Sequence, residues 1–174
     1  HLPTISGDLD DPETRKCAIV FGASVFMQHG NDTGSLRHSA ARNGIHAIVY
    51  EAGEAQRFGR RSIDVGANGV LRVMTMLKMI SGVRLKKRRV PTQEVESSRW
   101  LRADDSGILH LDVELGVLVS KNQEIGFISD AMGADRTPVK SDMDGLVIGH
   151  TRSPLVHRGD AIVHVATARP SVYL

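Results

Sequence analysis

The sequence is short of cysteine, of aromatic residues and of long apolar runs. Among its 174 residues Cys17 is the only cysteine, so no internal disulfide can form, which is typical of a reducing cytosol. Aromatic residues make up 4% of the chain, which argues against a nucleic-acid surface built on stacked bases. No apolar run is long enough to cross a bilayer, and the first residues lack a signal-peptide pattern. We therefore expect a cytoplasmic protein without a nucleic-acid or membrane partner.

The remaining composition is that of an ordinary globular protein. Hydrophobic residues account for 41% of the chain and the formal net charge is +2, which allows one large domain or two small ones. One segment differs, because residues 83–99 combine a run of Lys and Arg with Pro, Gln, Glu and Ser. We interpret it as a solvated linker between domains. A nucleic-acid or membrane patch is the alternative, and the lack of interleaved aromatic residues disfavours it.

The part before this linker alternates between helical and strand patterns. Asp11 and Pro12 are residues that favour the start of a helix, and Gly22 favours its end. The patterns predict, in order, helix, strand, helix, strand and helix over residues 12–21, 24–28, 34–43, 44–53 and 64–80. This order is typical of an α/β protein with a mixed or parallel sheet.

The strand predicted over residues 44–53 carries the strongest functional candidate. Its apolar run is bounded by glycines, which favours a buried strand, and Glu51 stands near its carboxyl end. Open α/β sheets bind their ligands at this end of their strands. Because Glu is rarely buried without a partner, Glu51 either has a task at the strand end or pairs with a nearby Arg.

From Trp100 onward the pattern changes to short strands separated by glycine turns. Residues 107–128 and 145–165 form an internal repeat of strand, turn and strand. Two such halves predict a small all-β barrel or sandwich that resembles the lipoyl and biotinyl carrier modules. Those modules carry a modified Lys at a hairpin tip, and Lys140 is the only Lys between the halves here, without a flanking Met. We expect a structural wall rather than a carrier.

Taken together, these segments resemble the succinylglutamate desuccinylase/aspartoacylase family of zinc-dependent deacylases. The order and spacing of several short segments carry the resemblance: Ser35–Arg37, Gly44–Ile45, Val49–Gly53, residues 64–82, Ala103–Gly107, Asp144–Gly149 and Arg158–Ala161. The resemblance implies a zinc-carboxypeptidase-like α/β domain followed by a small β domain. Residues 1–82 are then the C-terminal part of the catalytic domain, 83–99 the linker and 100–174 the β domain.

The resemblance also implies roles for two side chains. Glu51 corresponds to the general base and acid, which takes a proton from water and passes it to the leaving amine. A zinc ion in that family activates the water and polarises the scissile carbonyl. Arg37 resembles the arginine that pairs with the substrate carboxylate, a role that suits a planar guanidinium. The alternative for Arg37 is an ordinary arginine on a helix surface. The alternative for the general base is Glu54.

The metal ligands implied by the resemblance are incomplete in this sequence. The family uses an early His-x-x-Glu pair, which is missing here, and a later His, near whose place His1 stands. We therefore expect the sequence to begin inside the catalytic domain, with His1 either a zinc ligand or a terminal residue without a role. His29 is a candidate for lining the pocket, whereas His110, His150, His157 and His164 are expected on strand surfaces.

The sequence thus predicts an amidohydrolase that uses Zn²⁺ and acts on C–N bonds other than peptide bonds. The expected substrate is a small N-acyl amino acid or a related N-acyl amine, and a homo-oligomer is compatible with the sequence. Two alternatives stay open, a non-catalytic β module with a modified Lys140 and a metallocarboxypeptidase-like peptidase.

Overall fold

Three helices and eleven strands make up the part of the chain that a computed structural model describes, residues 1–28, 34–82 and 92–168. Contacts divide these residues into two units. The first unit runs to Val95 and the second from Glu96 to Ala168. None of the helices in the described ranges is long and apolar enough to span a membrane.

The first unit is built on a mixed sheet. Strand β1 (Thr4–Gly7) pairs in parallel with β2 (Val25–Gln28) and antiparallel with β3 (Ile48–Glu51). On its other side β2 pairs in parallel with the first residues of β4 (Gln93–Arg102). The α/β class and the mixed sheet predicted from the sequence are therefore confirmed.

The helices of this unit begin and end on local signals. Helix α1 (Pro12–Phe21) begins where the Asp11 side chain accepts a hydrogen bond from the Thr14 backbone, and it ends at Gly22 with φ of 77°, as predicted. Helix α2 (Leu36–Arg42) is capped by Ser35. Helix α3 (Arg60–Met76) starts and ends four residues before its predicted bounds, because Gly59 provides its N-cap and the chain leaves the helix at Leu77.

The core of the first unit lies on one face of the sheet, beneath α1 and α3. Ile5 and Tyr50 are register partners, and both pack in the same cluster as Phe21. Gly66 and Gly69 allow α3 to lie close, because a Cβ at Gly66 would approach the Tyr50 ring to 2.7 Å and one at Gly69 would overlap the Phe21 ring. The small residues of α3 thus set its distance from the sheet.

The strand that carries Glu51 is shorter and more exposed than predicted. It spans Ile48–Glu51 rather than 44–53, and it is the last strand at its end of the sheet rather than a buried one. Its residues alternate between half-buried and exposed, and Val49 is 37% exposed. The sequence does not show this alternation as alternating polar and apolar residues, because the exposed residue Val49 is itself apolar.

The linker prediction over residues 83–99 is wrong where the structure describes it. Residues 93–99 belong to β4, in which Val95 is buried between Glu94 and Glu96. Because of these polar residues, the sequence of the segment resembles that of a solvated linker. The basic run, within residues 83–91, lies outside the described residues.

The described residues of the second unit form strands joined by turns and loops, without a helix. They contribute to two sheets, one with the order β4-β11-β9-β6 and one with the order β10-β5-β7-β8. The bounds are β5 (Gly107–Leu111), β6 (Leu118–Val119), β7 (Glu124–Ser129), β8 (Arg136–Lys140), β9 (Gly145–His150), β10 (Leu155–Val156) and β11 (Ala161–Ala168).

The internal repeat appears in the second unit as an exchange of short strands. β6 comes from the first half of the repeat but pairs with β9 of the second half. β10 comes from the second half and pairs with β5 of the first. Each sheet therefore contains one strand from the other half of the repeat, and the two halves share one hydrophobic core. The likeness to lipoyl modules in particular stays a prediction.

Candidate functional site

Glu51 is the last residue of β3 and its side chain is exposed. It is the register partner of Thr4 at the start of β1. Two residues later Gly53 adopts a φ of 79°, and a Cβ there would lie 3.2 Å from the Ser62 hydroxyl. The local sequence Glu-Ala-Gly thus ends the strand and turns the chain immediately after the carboxylate.

The register of the sheet decides which side chains share a face with Glu51. Partners across an antiparallel pair point to the same side, and so do residues two apart along a strand. Glu51, Thr4 and Ser6 therefore lie on one face, opposite the face that Ile5 and Tyr50 present to the helices. The Tyr50 hydroxyl donates to the Ser62 carbonyl at 2.7 Å, and burial raises the pKa of this hydroxyl, so Tyr50 is a packing residue.

Arg37 reaches the same face from helix α2. Its Nη1 donates a hydrogen bond to the Ser6 hydroxyl at 3.0 Å. Ser6 is paired with Val49, which makes Glu51 its diagonal neighbour at a Cα separation of about 7–8 Å. The structure therefore brings the two predicted site residues to one face of one strand pair.

A cavity of about 620 Å³ opens beside Arg37, and it is not centred on Glu51. Glu51 is not among its lining residues, which include side chains of both charge signs: Asp8, Asp10, Asp11, Arg37, His38 and His46. No sequence pattern predicts this cavity, because residues 8–11 have the polar composition of an ordinary loop. Its walls come together only when the start of α1, helix α2 and residues 44–47 meet.

One carboxylate of this cavity is already engaged. Asp11 Oδ2 lies 2.7 Å from His46 Nδ1 and also accepts from the Thr14 backbone nitrogen at 2.8 Å. Hydrogen bonds from Thr14 and, to a smaller extent, the contact with His46 lower the pKa of Asp11. Asp11 is thus a helix cap first, and Asp8 and Asp10 are the other carboxylates at the cavity.

His1 lies at the same end of the strand pair as Glu51. Its backbone nitrogen donates to the Gly53 carbonyl at 2.9 Å, and the Gly53 nitrogen donates to the His1 carbonyl at 3.3 Å. These two bonds join the chain before Thr4 to the chain after Glu51, one residue out of the β1–β3 register. The role of the His1 imidazole as a zinc ligand stays a prediction.

The described residues alone do not fit a zinc site. Across residues 1–28, 34–82 and 92–168, no three His, Cys, Asp or Glu side chains come close enough together to hold a metal ion. A structural or catalytic zinc needs at least three protein ligands. Glu54, the alternative base, lies 3.4 Å from the Arg57 guanidinium in an ion pair.

The other histidines and Lys140 have structural surroundings. His110 stacks on Phe127 with ring centroids 4.5 Å apart, and His164 stacks on Trp100 at 4.7 Å. His164 is half-buried, so the prediction of a strand-surface residue is wrong for it, and burial lowers its pKa. Lys140 is paired with Glu124 at the end of β8 rather than standing at a hairpin tip, which disfavours a carrier role. His29 lies outside the described residues.

Comparison with known proteins gives matches among solved structures. No family model matches the chain, and no curated protein matches it. A succinylglutamate desuccinylase/aspartoacylase from Rhodobacter sphaeroides is 22% identical, with a TM-score of 0.78 over 97% of this chain and 54% of its own. The ectoine utilization protein EutE (DoeB) from Ruegeria pomeroyi is 17% identical, with a TM-score of 0.81 over 95% and 55% of the two chains.

A third structure, an aspartoacylase family protein from Mesorhizobium loti, is 17% identical, with a TM-score of 0.72 over 97% of this chain and 53% of that one. At such identities the likeness shows a shared fold. The resemblance found in the sequence is therefore confirmed at the level of the fold. The chain spans about half the length of the solved structures it matches.

Proposed function

We propose that the protein acts as a deacylase that hydrolyses the amide bond of a small N-acyl amino acid or related N-acyl amine. One observation carries the proposal: Glu51 and Arg37 converge on one face of the β1–β3 pair, in a fold shared with succinylglutamate desuccinylase/aspartoacylase structures. A carboxylate and a guanidinium on the same face suit a substrate that carries both a scissile amide and a carboxylate.

Glu51 supplies the proton chemistry in this proposal. Its exposed carboxylate accepts a proton from the attacking water and returns it to the amine nitrogen as the C–N bond breaks. Its position at a strand end, followed by the tight turn at Gly53, fixes the backbone that carries it. Proton transfer by a placed side chain contributes about 10²–10⁴ in rate.

Arg37 binds the substrate carboxylate in this proposal. A guanidinium has five N–H donors, and the hydrogen bond to Ser6 uses one nitrogen and fixes the orientation of the group. Within residues 1–28, 34–82 and 92–168 the other donors of this guanidinium make no further hydrogen bond, so we propose that they make a two-point contact with a carboxylate. The cavity beside Arg37 also presents Asp8 and Asp10, which suit the amino group of an amino-acid product.

We propose zinc as the cofactor only because the sequence resembles the family of zinc-dependent deacylases. Of the described residues, His1 is the one that we propose as a ligand, and the remaining ligands would have to come from outside the described part. Zinc content of the protein as its organism makes it, measured by plasma mass spectrometry, tests this point separately from activity.

The experiment is a hydrolysis screen of the protein as its organism makes it. N-acetyl and N-succinyl amino acids are compared with short peptides, and released amine is measured by mass spectrometry. We expect acyl amino acids to be cleaved and peptides not. Glu51→Gln should lower kcat by at least about 10²-fold, whereas Arg37→Lys should act mainly through KM.

Glu54→Gln is the matched control, since Glu54 is three residues away and held by Arg57. Full activity of Glu51→Gln together with an inactive Glu54→Gln would assign the base to Glu54 instead. Cleavage of peptides alone would favour the peptidase alternative, and failure to cleave any amide would end the deacylase proposal.

A further inference from the structure

The dipeptide Asn-Gly occurs twice in the sequence, as Asn43–Gly44 at the end of α2 and as Asn68–Gly69 within α3. In this dipeptide the backbone nitrogen of the glycine can attack the side-chain amide of the asparagine, because glycine has no side chain to hinder the approach and its backbone is the least restricted. Asparagine is accordingly one of the thermolabile residues of proteins. The two copies differ in their structural surroundings.

The side chains of the two asparagines are held in the same way. Asn43 Nδ2 donates to the Ser39 carbonyl at 2.7 Å, and Asn68 Nδ2 donates to the Asp64 carbonyl at 2.6 Å. Each side-chain amide thus bonds to the carbonyl four residues earlier in its own helix. A difference in reactivity between the two sites must therefore come from the backbone, and each site is a control for the other.

The backbone around Asn68 is fixed at the centre of a long helix. Helix α3 has 17 residues, and Gly69 is its buried residue. A Cβ at Gly69 would overlap the Phe21 ring, which shows how closely the helix packs at this point. Ring closure between the Asn68 side chain and the Gly69 nitrogen requires the helix to open here, and this packing opposes the opening. We expect Asn68 to be protected.

The other copy stands at the end of a helix. Asn43 is the C-cap of α2, Gly44 follows with a φ of 69°, and both residues are exposed. Two backbone hydrogen bonds close this helix end. The Gly44 nitrogen donates to the Ala41 carbonyl at 3.0 Å. The Ile45 nitrogen donates to the Ala40 carbonyl at 2.9 Å.

This helix end can open at a low cost in free energy. Helix α2 has seven residues and none of them is buried, so no core packing keeps it closed. Helices of this length are marginal by themselves, and segments with few buried contacts open locally while the rest of the protein stays folded. When the last turn of α2 opens, the Gly44 nitrogen loses its hydrogen bond and can reach the Asn43 side chain.

We propose that Asn43 is a modification site, at which spontaneous deamidation converts the asparagine to aspartate and isoaspartate. The Gly44 nitrogen bonds to Cγ of Asn43, the Cγ–Nδ2 bond breaks, and the proton of the Gly44 nitrogen leaves with the amide group as ammonia. Water then opens the resulting succinimide ring at either of its two carbonyl carbons. One opening yields aspartate, and the other yields isoaspartate, which has one extra methylene group in the backbone. The inference goes beyond the proposed function, because it holds whether or not the protein is a deacylase.

The products change the wall of the cavity beside Arg37. Ala41, Gly44 and Ile45, on both sides of Asn43, line this cavity. Either product places a negative charge at the C-terminal end of α2, where the helix dipole disfavours it, and lacks the Nδ2 donor that bonds to Ser39. The modified helix end should therefore open more readily, and the amides of residues 36–45 should exchange hydrogen faster than in the unmodified protein.

Incubation of the purified protein at mildly alkaline pH, followed by peptide mass spectrometry, tests the proposal. The peptide that contains Asn43 should gain the mass of an amide-to-acid conversion, and electron-transfer fragmentation should identify both aspartate and isoaspartate. Asn43 should convert faster than Asn68 by about tenfold or more, because opening the centre of a packed helix costs more free energy than opening a helix end. The rate should rise with pH, since the attacking nitrogen must lose its proton.

Two variants tie the reaction to the end of α2. Asn43→Gln keeps a side-chain amide but would need a larger ring to close, so its peptide should stay unmodified. Ser35→Ala removes the N-cap of α2 and should accelerate the conversion of Asn43 by up to about fivefold, the ratio that the usual loss of a helix cap gives. The conversion of Asn68 should be the same in both variants and is the internal reference. Circular dichroism shows that the variants fold.

Three results would overturn the inference. The first is an unmodified Asn43 in the protein while a synthetic peptide of residues 40–47 is converted under the same conditions. The second is an equal rate at Asn43 and Asn68. The third is a rate at Asn43 that Ser35→Ala leaves unchanged, which would show that the reaction does not depend on the opening of α2. Catalytic activity does not enter any of these readouts, so a failed deacylase assay leaves the test unchanged.

Discussion

At the scale of single residues, His164 shows how its surroundings set the proton affinity of a side chain. It stacks on Trp100 in the second unit, and burial lowers its pKa from the ordinary value of 6.5. The unfolded chain therefore binds a proton at a pH where the folded protein does not. Folding stability should fall as pH drops through 6.5 toward the lower pKa of the folded state, and it should not change through this group above that window.

Nuclear magnetic resonance titration of the histidine ring protons checks this prediction. The His164 signal should move at a lower pH in the folded protein than in the protein unfolded by urea. His164→Phe keeps an aromatic ring beside Trp100 and should remove this part of the pH dependence of unfolding. His157→Gln, at an exposed position, is the control and should leave it unchanged. Equal titration of His164 in both states would contradict the prediction.

At the scale of elements, α3 depends on its small residues. A Cβ at Gly69 would overlap the ring of Phe21, which is 3% exposed and has little space to move. Gly69→Ala should therefore cost about 1–3 kcal/mol through overpacking. The higher helix propensity of Ala offsets about 1 kcal/mol of this. Urea unfolding measures the net loss.

A second substitution separates overpacking from other causes. Phe21→Leu replaces the ring that the new methyl group would contact with a smaller side chain. The double variant of Gly69→Ala and Phe21→Leu should therefore lose less stability than the sum of the two single variants. Asn68→Ala, at the neighbouring half-buried position, should cost less than Gly69→Ala, because it adds no atoms beside Phe21. Additive losses in the double variant would show that Gly69 does not act through Phe21.

Element ends could be predicted from sequence where they depend on local chemistry. Asp11, Pro12 and Gly22 fixed both ends of α1, because caps act within a few residues of the chain. Elements whose character depends on distant neighbours were missed. Residues 93–99 were expected as a linker and form part of β4, and β3 was expected to be buried and is an edge strand. Neither property is encoded within the segment itself.

The candidate site also combines features that can be predicted from the sequence with features that cannot. Glu51 and Arg37 were recognised from short sequence segments, and the register of β1 with β3 brings them to one face. The cavity beside Arg37 was not foreseen, since its walls come from three separate stretches of chain. A sequence pattern indicates which side chain has a suitable chemistry, whereas the pairing of strands decides what lies beside it.

At the scale of the whole molecule, the internal repeat was visible in the sequence but its exchange of strands was not. β6 and β10 have two residues each, too few for an alternating pattern to show. Their pairing with strands of the opposite half gives the second unit a single core. The first unit has its own core, built around Ile5, Ala18 and Phe21.

Because the two cores are separate, we predict that a destabilising substitution in one core affects mainly the unit that contains it. Ile5 in the first core and Ile125 in the second are both 0% exposed, so truncation of either to Ala removes the same atoms from a fully buried position. Each change should cost about 2–5 kcal/mol. Ile5→Ala should accelerate amide hydrogen exchange in β1, β2 and α1 more than in β7 and β9, and Ile125→Ala should do the reverse. Mass spectrometry of peptic fragments resolves these segments. Equal acceleration along the whole chain in both variants would show that the two cores unfold together, because stability is then a property of one cooperative body rather than of each core.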